Sequence, residues 1–206
     1  MRPVVTALLI LMVAGCEAGD TGRGIRTLAV LDGAVSVRGP DGFCVDQQSS
    51  RADTGFAVLA GCAIISDATL MPAQEGLITV QIGEAGSAGV AGAEADLVRL
   101  LETAQGATLL SATGDPATVK IERVDRADGV VVVRFSDTAP AAIAGLEPLE
   151  WRAFLDIKGR LTTISLRGFD RARIATAPGL RLLSQAIGAI RAANMPSEAA
   201  AGEQSG

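Results

Sequence analysis

The alternation of apolar and polar residues divides the chain into strands and helices. Residues 77–82 and 149–157 place apolar side chains at every second position, which is typical of strands with one covered face. Residues 93–104 carry leucines three and four positions apart, which predicts an amphipathic helix. Residues 56–65 are apolar at both parities, which predicts a central strand covered on both faces. The complete set of predicted strands is 28–37, 43–46, 56–65, 77–82, 117–124, 130–135, 149–157 and 161–166, and the predicted helices are 93–104 and 178–193.

Turn residues are expected to join these strands into hairpins. The sequence GPDG at 39–42 predicts a hairpin between residues 28–37, a strand interrupted near Asp32-Gly33, and residues 43–46. The tetrapeptide RADG at 126–129 predicts a second hairpin, and KGR at 158–160 predicts a third.

The predicted helices have matching end residues. Gly106 suits the end of the first helix, after which residues 108–112 are expected to add a further helical turn. Thr176 is the expected N-cap of the second helix, with Pro178 in its first turn, and Asn194 is expected to end it.

This order of elements predicts an α+β fold, in which an antiparallel sheet of about six to eight strands packs with two main helices. Residues 28–194 are expected to form a single domain, and residues 195–206 a disordered tail. The element order, with its opening strand, GPDG turn and short strand, resembles the PsbP/Mog1-like arrangement. That resemblance implies a binding or assembly role without catalysis.

The N-terminal residues have the pattern of an exported protein. Arg2 precedes an apolar run over residues 4–15, which is too short to span a bilayer and has the length of a signal-peptide core. The run ends in Val13-Ala14-Gly15-Cys16, which resembles the lipobox of bacterial lipoproteins. The segment GFCVD, with the GPDG turn before it, also resembles uncharacterised alphaproteobacterial lipoproteins. The open alternative is an ordinary signal peptide with a cysteine by chance near its cleavage site.

The lipobox resemblance implies a defined maturation and location. Residues 1–15 would be removed as a signal peptide, and Cys16 would carry a diacylglyceryl group and often an N-linked acyl chain such as palmitate. Two or more acyl chains anchor a protein stably in a membrane, whereas a single acyl chain binds only marginally. Residues 16–27 would be a flexible tether on the periplasmic side. Glu17 is not the aspartate that retains some lipoproteins in the inner membrane, which favours the outer membrane.

Cys44 and Cys62 remain as a pair once Cys16 is assigned to lipid. Both lie in apolar, strand-like segments, and export would place them in an oxidising compartment, so a disulfide is predicted. The loop of about 19 residues that it closes corresponds to roughly 3 kcal/mol in the chain-entropy model. Two buried free thiols or a redox pair are the alternatives, although no Cys-x-x-Cys motif supports the redox pair.

Composition excludes several classes of function. The chain has no histidine, which excludes Ser-His-Asp and Cys-His catalysis and any histidine metal site. Its formal net charge is −5 at pH 7, or −6 after removal of residues 1–15, so no nucleic-acid partner is expected. With one tryptophan, five phenylalanines and no tyrosine, it offers little for stacking bases or sugars.

Four local patterns partly match chemical motifs, and each has a simpler structural explanation. Glycines at 83, 86, 89 and 92 lie between a strand and a helix, but their spacing differs from a dinucleotide-binding fingerprint, so a mobile surface loop is predicted. Lys120 and Lys158 lack a Ser-x-x-Lys frame and are expected to be solvated. The carboxylate pairs Glu147/Glu150 and Asp125/Asp128 are expected to be exposed loop acids.

The fourth pattern is a cluster of arginines near residue 170. It is expected either to pair with Asp170 and other acids or to contact anionic headgroups or a partner. Apart from this cluster, Trp151 lies on the apolar parity of the predicted strand 149–157 and is expected in the core. The cluster consists of Arg167, Arg171 and Arg173, followed later by Arg181 and Arg191.

The sequence therefore predicts a non-enzymatic protein anchored through Cys16 on the periplasmic side of the envelope, where its domain binds a protein partner. The alternative is a carrier of a small molecule or lipid, with a pocket between the sheet and a helix that includes Phe154. A carboxylate-dependent hydrolase is the third hypothesis. No cofactor or metal is expected.

Overall fold

The computed structural model describes residues 24–66, 70–140 and 143–196. The predicted signal peptide, Cys16, most of the predicted tether and almost all of the predicted tail lie outside these ranges. The strands are β1 (Thr27–Val30), β2 (Val35–Arg38), β3 (Phe43–Val45), β4 (Phe56–Gly61), β5 (Leu77–Ile82), β6 (Val119–Ala127), β7 (Val130–Asp137), β8 (Leu146–Ile157) and β9 (Arg160–Phe169). The helices are α1 (Cys62–Ile65), α2 (Glu94–Leu101), α3 (Ala104–Leu110) and α4 (Thr176–Ala193), with a 3-10 turn at Pro116–Thr118.

Seven strands form one antiparallel sheet in the order β3-β4-β5-β9-β8-β7-β6, and β1 and β2 form a separate hairpin. The predicted α+β fold with a sheet of six to eight strands is confirmed. The predicted hairpins β6–β7 and β8–β9 are also present, because the turn residues at 128–129 and 158–159 reverse the chain with positive φ angles.

The first predicted hairpin is wrong. Residues 28–37 are not one interrupted strand, because Leu31, Asp32 and Gly33 all have positive φ angles and turn the chain back on itself. As a result β1 pairs with β2, while β3 pairs with β4. The GPDG turn still forms, with the amide of Phe43 donating to the carbonyl of Pro40.

Two apolar cores cover the two faces of the large sheet. On the first face, which we call the α4 face, α4 and the β1–β2 hairpin cover the apolar side of β4, β5, β9 and β8. On the second, the α2–α3 face, helices α2 and α3 pack against β6 and β7 over Val131, Val133 and Phe135. Strand alternation separates the two, since successive side chains point to opposite faces.

Helix α4 is fixed at both ends. Gly179 lets its first turn approach Trp151, because a Cβ atom there would lie 2.7 Å from Cζ2 of the indole, and Trp151 is in the core as predicted. Asn194 ends the helix as predicted, and its side chain exchanges two hydrogen bonds with the backbone of Ser36 in β2. Thr176 is not the N-cap; Ala175 holds that position and provides no side-chain hydrogen bond.

The predicted disulfide joins Cys44 of β3 to Cys62, with 4.8 Å between the Cα atoms. The predicted strand over residues 56–65 ends at Gly61, and residues 62–65 form α1 instead. Cys62 therefore lies just beyond β4, where it reaches its partner on the neighbouring edge strand. In the described part of the chain, no helix has the length and apolar content needed to cross a membrane.

Candidate ligand groove

A groove lies between the helices α2 and α3 and the strands β8 and β9. Its volume is about 540 Å³, which falls within the range of roughly 300–1,000 Å³ that is usual for small-molecule sites. Most of its lining is apolar. The apolar lining side chains used below are Val90, Leu97, Leu100, Leu109, Phe154 and Leu161.

The floor of the groove follows from strand alternation. On β8, Trp151 and Leu155 face the α4 core, so Phe154 points to the opposite face of the sheet. On β9, Thr163 is the register partner of Phe154, and Leu161 lies two residues away on the same face. The half-buried Phe154 therefore lies at the centre of a sheet surface that a helix overhangs.

The walls come from the two short helices. Leu97 and Leu100 of α2 are three residues apart and face the groove from the same side of the helix. Thr103 caps α3, since its Oγ1 accepts the amide of Gly106 at 3.2 Å. Leu109 of α3 stands at the rim with 61% of its surface exposed.

Gly106 does not end α2, as the sequence analysis expected, but lies inside α3. A Cβ atom at this position would overlap the backbone of Leu100 and Leu101. Only glycine therefore allows α3 to cross so close to the end of α2, and this crossing sets the position of the rim residue Leu109.

One end of the groove is polar and electrically balanced. Nε and Nη2 of Arg152 donate to Oε1 of Glu150 at 2.8 and 2.7 Å, and Nε also donates to Oγ of Ser165 at 3.1 Å. The guanidinium lies over the ring of Phe135, 5.1 Å from its centroid. Glu150 is buried, so this pair removes what would otherwise be an uncompensated charge next to an apolar cavity.

The other end is closed by the glycine-rich segment 83–92, which Asp156 of β8 holds in place. The carboxylate accepts the amides of Gly89, Val90 and Ala91 at 3.0, 2.9 and 2.9 Å. Burial raises the pKa of Asp156, but these three hydrogen bonds outweigh it, and the pKa lies below its ordinary value.

The segment lies at the surface, as predicted, since most of its residues are exposed, and these contacts hold it against β8, while its mobility stays a prediction. The backbone of Gly83 and Gly86 also donates to carbonyls of the β8–β9 hairpin. The contacts further explain why the segment is not arranged for a nucleotide. Three successive amides that could bind a phosphate are already bound to a carboxylate of the protein itself.

The first carboxylate pair is not exposed, contrary to the sequence analysis. Glu147 and Glu150 both lie in β8 and are 3% and 6% exposed. Oε1 of Glu147 accepts the amides of Gly168 and Ile174, so this side chain fixes the segment after β9. Since each carboxylate has internal partners, the pair has a structural explanation.

The second carboxylate pair and the lysines lie at the surface. Asp125 is paired with Arg123 along β6 at 2.6 Å, and Asp128 is exposed at the β6–β7 turn. Lys120 and Lys158 are exposed, as expected.

The arginine cluster is divided among separate partners, and Asp170 is not among those it contacts. Arg171 pairs with Glu75 at 2.7 Å and lies over Phe169. Arg167 donates to the carbonyl oxygen of Glu147, and Arg191 donates to that of Asp128. The expected pairing with an acid therefore occurs for Arg171 alone, and in the described part of the chain Arg173 and Arg181 form no ion pair.

Sequence reasoning placed Phe154 in a candidate pocket but assigned no role there to Arg152 or Asp156. Both share the strand parity of Phe154, and this was the available signal. Their partners, Ser165 and the amides of residues 89–91, come from other elements, so only the folded chain shows what these charges hold.

No protein-family model matches this chain, and no curated protein matches it. Across residues 24–66, 70–140 and 143–196, no group of three or more metal-ligating side chains is found.

Proposed function

We propose that this chain is a lipid-anchored, non-enzymatic carrier or binding protein of the bacterial cell envelope. Its anchor is the acylated Cys16 of the lipobox, and its domain on the periplasmic side holds a small apolar ligand, of which a single acyl chain is the best example. The observation that supports the binding role is the apolar groove whose floor is formed by Phe154.

The chemistry of the groove favours an uncharged, elongated portion of a ligand. Apolar side chains from α2, α3, β8 and β9 contribute most of its lining. Of the charged groups that line it, Arg152 is neutralised by Glu150, and Asp96 is paired with Arg99. A charged headgroup is therefore expected to remain outside, where water solvates it, while the chain lies over Phe154.

The ligand would be identified by native mass spectrometry of the protein extracted from its host membrane in mild detergent. The expected result is the acylated chain with a small additional mass that organic solvent removes. The acyl mass on Cys16 reports the anchor independently of the ligand. A bare acylated protein that also fails to take up added fatty acid would contradict the carrier function while leaving the anchor in place.

A substitution at the rim tests where the ligand lies. Leu109→Asp places a charge beside the groove at a position that is already 61% exposed, so the fold is expected to tolerate it. The Kd for a dansyl-labelled fatty acid is expected to rise about tenfold, the equivalent of losing part of one leucine contact. Fluorescence titration measures this change.

The matched control is Leu180→Asp, which changes an exposed leucine of α4 on the other side of the sheet. This variant is expected to keep the original Kd, and thermal unfolding would show whether both variants are folded. Equal Kd values for the two variants would place the ligand outside the groove.

A protein partner in the envelope is the second candidate. The polar side chains of β5 and β9 on the α2–α3 face, which include Thr79, Gln81 and Ser165, are partly or fully exposed beyond the area that α2 and α3 cover. Such a surface suits a polar interface. In the mass spectrometry experiment, a second protein mass that stays bound would favour this function.

A further inference from the structure

The chain enters the described domain at a well-defined edge of the sheet. Gly24 lies against the disulfide and the end of α1, because a Cβ atom on it would be 3.0 Å from both Sγ of Cys44 and Oγ of Ser66. Cys44 belongs to β3, the edge strand of the large sheet. The tether that leads back to Cys16 therefore leaves from the β3 edge.

Three large apolar side chains are exposed at this edge, and we call them the anchor-end patch. Ile64, Leu70 and Met71 are 51%, 52% and 49% exposed. Ile64 lies in α1, two residues before Ser66. A Cβ atom on Gly61 would lie 3.4 Å from Cδ1 of Ile64 and 3.1 Å from Cδ of Pro72, so α1 and the segment after Met71 are neighbours. Single exposed apolar residues are ordinary, whereas a group of them marks an interaction surface.

The charges beside the patch suit an anionic surface. Arg181 of α4 shares a shallow hollow with Leu70 and Met71 and is exposed. Within the described ranges it forms no ion pair. Asp41, an acid of the same hollow, is paired with Arg26 at 2.7 Å, so its charge is compensated. Basic side chains near a bilayer surface are attracted to anionic lipids.

The length of the tether restricts which side of the domain can face the membrane. Eight positions along the chain separate Cys16 from Gly24, and covalent geometry limits the distance between the two to about 28 Å. A domain of about 170 residues has a radius of gyration of roughly 15 Å, so its diameter of roughly 40 Å exceeds this limit. The edge from which the tether leaves must therefore stay near the bilayer.

We infer that the anchor-end patch, Ile64, Leu70 and Met71, rests in the interfacial layer of the membrane that holds the lipid anchor. This inference rests on the anchoring part of the proposed function. The groove lies on β8 and β9, and β8 is four strand spacings, or about 19 Å, from the β3 edge. Contact at the patch thus fixes the orientation of the domain and leaves the groove outside the bilayer.

The test uses tryptophan as a depth probe in the acylated full chain. Met71→Trp is compared with Met195→Trp, which replaces a 71% exposed methionine at the other end of α4. Ala193, the last residue of α4, lies about 18 Å from Arg181 along the helix axis, and Met195 follows it. The native Trp151 is buried and contributes the same background to both variants. Each protein is reconstituted in vesicles of phosphatidylethanolamine and phosphatidylglycerol, with or without lipid brominated on its acyl chains.

The expected result is a blue shift and a loss of emission with brominated lipid for Met71→Trp, with neither change for Met195→Trp. Co-sedimentation with the vesicles reports the anchor separately. If the Met71→Trp protein co-sediments but the introduced indole is not quenched, the patch does not contact lipid and the inference is wrong. The co-sedimentation would still support the lipid anchor. A blue shift without quenching means that protein covers the patch, either a second copy or a partner, and overturns the inference. A protein that does not co-sediment overturns both anchoring and contact.

Discussion

Asp156 accepts amides from residues that precede it by 65 to 67 positions, and in doing so it closes one end of the groove. Glu147 likewise accepts the backbone amides of Gly168 and Ile174. In both cases a partly or fully buried carboxylate accepts hydrogen bonds from backbone N–H groups that regular strand or helix pairing does not satisfy. At the scale of single residues, these charges serve to position the backbone.

Asp156→Asn is expected to lower the free energy of unfolding by about 1–3 kcal/mol at pH 7, because hydrogen bonds to a charged acceptor are replaced by weaker ones. The folded-state pKa of Asp156 is depressed, so its stabilisation is present above the unfolded pKa of about 4 and is lost as pH falls through the lower folded value. The difference in the free energy of unfolding between the original protein and the variant should therefore shrink below about pH 4. Urea unfolding at several pH values measures it.

The control for this experiment is Asp128→Asn, which removes an exposed carboxylate at the β6–β7 turn. Asparagine tolerates the positive φ angle of residue 128. This variant is expected to leave stability within about 0.5 kcal/mol of the original. If Asp156→Asn were equally neutral at pH 7, the carboxylate would not be what holds residues 89–91.

At the scale of elements, α4 shows how one helix uses glycine in two ways. Gly179 lies against the indole of Trp151 in the core, whereas nothing lies within 4 Å of a Cβ atom on Gly188. The first glycine allows close packing, and the second only lowers helix propensity. The two positions therefore respond oppositely to the same substitution.

Gly179→Ala is expected to destabilise the protein by about 1–3 kcal/mol, because the added methyl group must displace Trp151 or shift the helix. Gly188→Ala is expected to stabilise it by about 0.5–1 kcal/mol through helix propensity alone. Thermal unfolding of both variants, with near-ultraviolet circular dichroism to follow Trp151, measures the effects. If both variants were stabilised, propensity, and not contact with Trp151, would decide the outcome at residue 179.

At the scale of the whole molecule, the disulfide uses two of the three cysteines, and the proposed anchor would use the third. The structure joins Cys44 to Cys62, so under the proposed function Cys16 is the thiol that would carry the acyl group. The disulfide lies next to Gly24, so it reinforces the point where the tether would pull on the domain.

Cys16→Ala is expected to move the protein from the membrane fraction to the soluble fraction of the envelope, because about 0.8 kcal/mol for each buried CH₂ group of the acyl chains is lost. Fractionation followed by immunoblotting measures this. As a cysteine control, the double variant Cys44→Ser with Cys62→Ser should stay in the membrane fraction although its domain is less stable. If the Cys16→Ala protein remained fully in the membrane, lipidation would not be what holds it.

The elements that could be predicted are those whose signal is local. The strands β5, β7, β8 and β9 follow from their alternation, and α4 from its apolar stripe, with errors of a few residues at the ends. An interruption near Asp32-Gly33 was predicted, but the reversal of the chain there was missed, because it also needs a positive φ angle at Leu31, which is not a usual turn residue. Burial of Glu147 and Glu150 was missed because the sequence does not show which distant amide or guanidinium will satisfy a carboxylate.

The sequence by itself determined the fold class, the position of Trp151 in the core, the side of β8 to which Phe154 belongs, and the pairing of Cys44 with Cys62. These features depend on residue type, periodicity and the small number of possible partners. Tertiary structure decided which strands are neighbours, that α2 and α3 stand over only part of the sheet, and that a groove remains beside them. The physical reason is that a groove is a gap between elements, and its size depends on crossing distances such as that at Gly106, which no local pattern in the chain records.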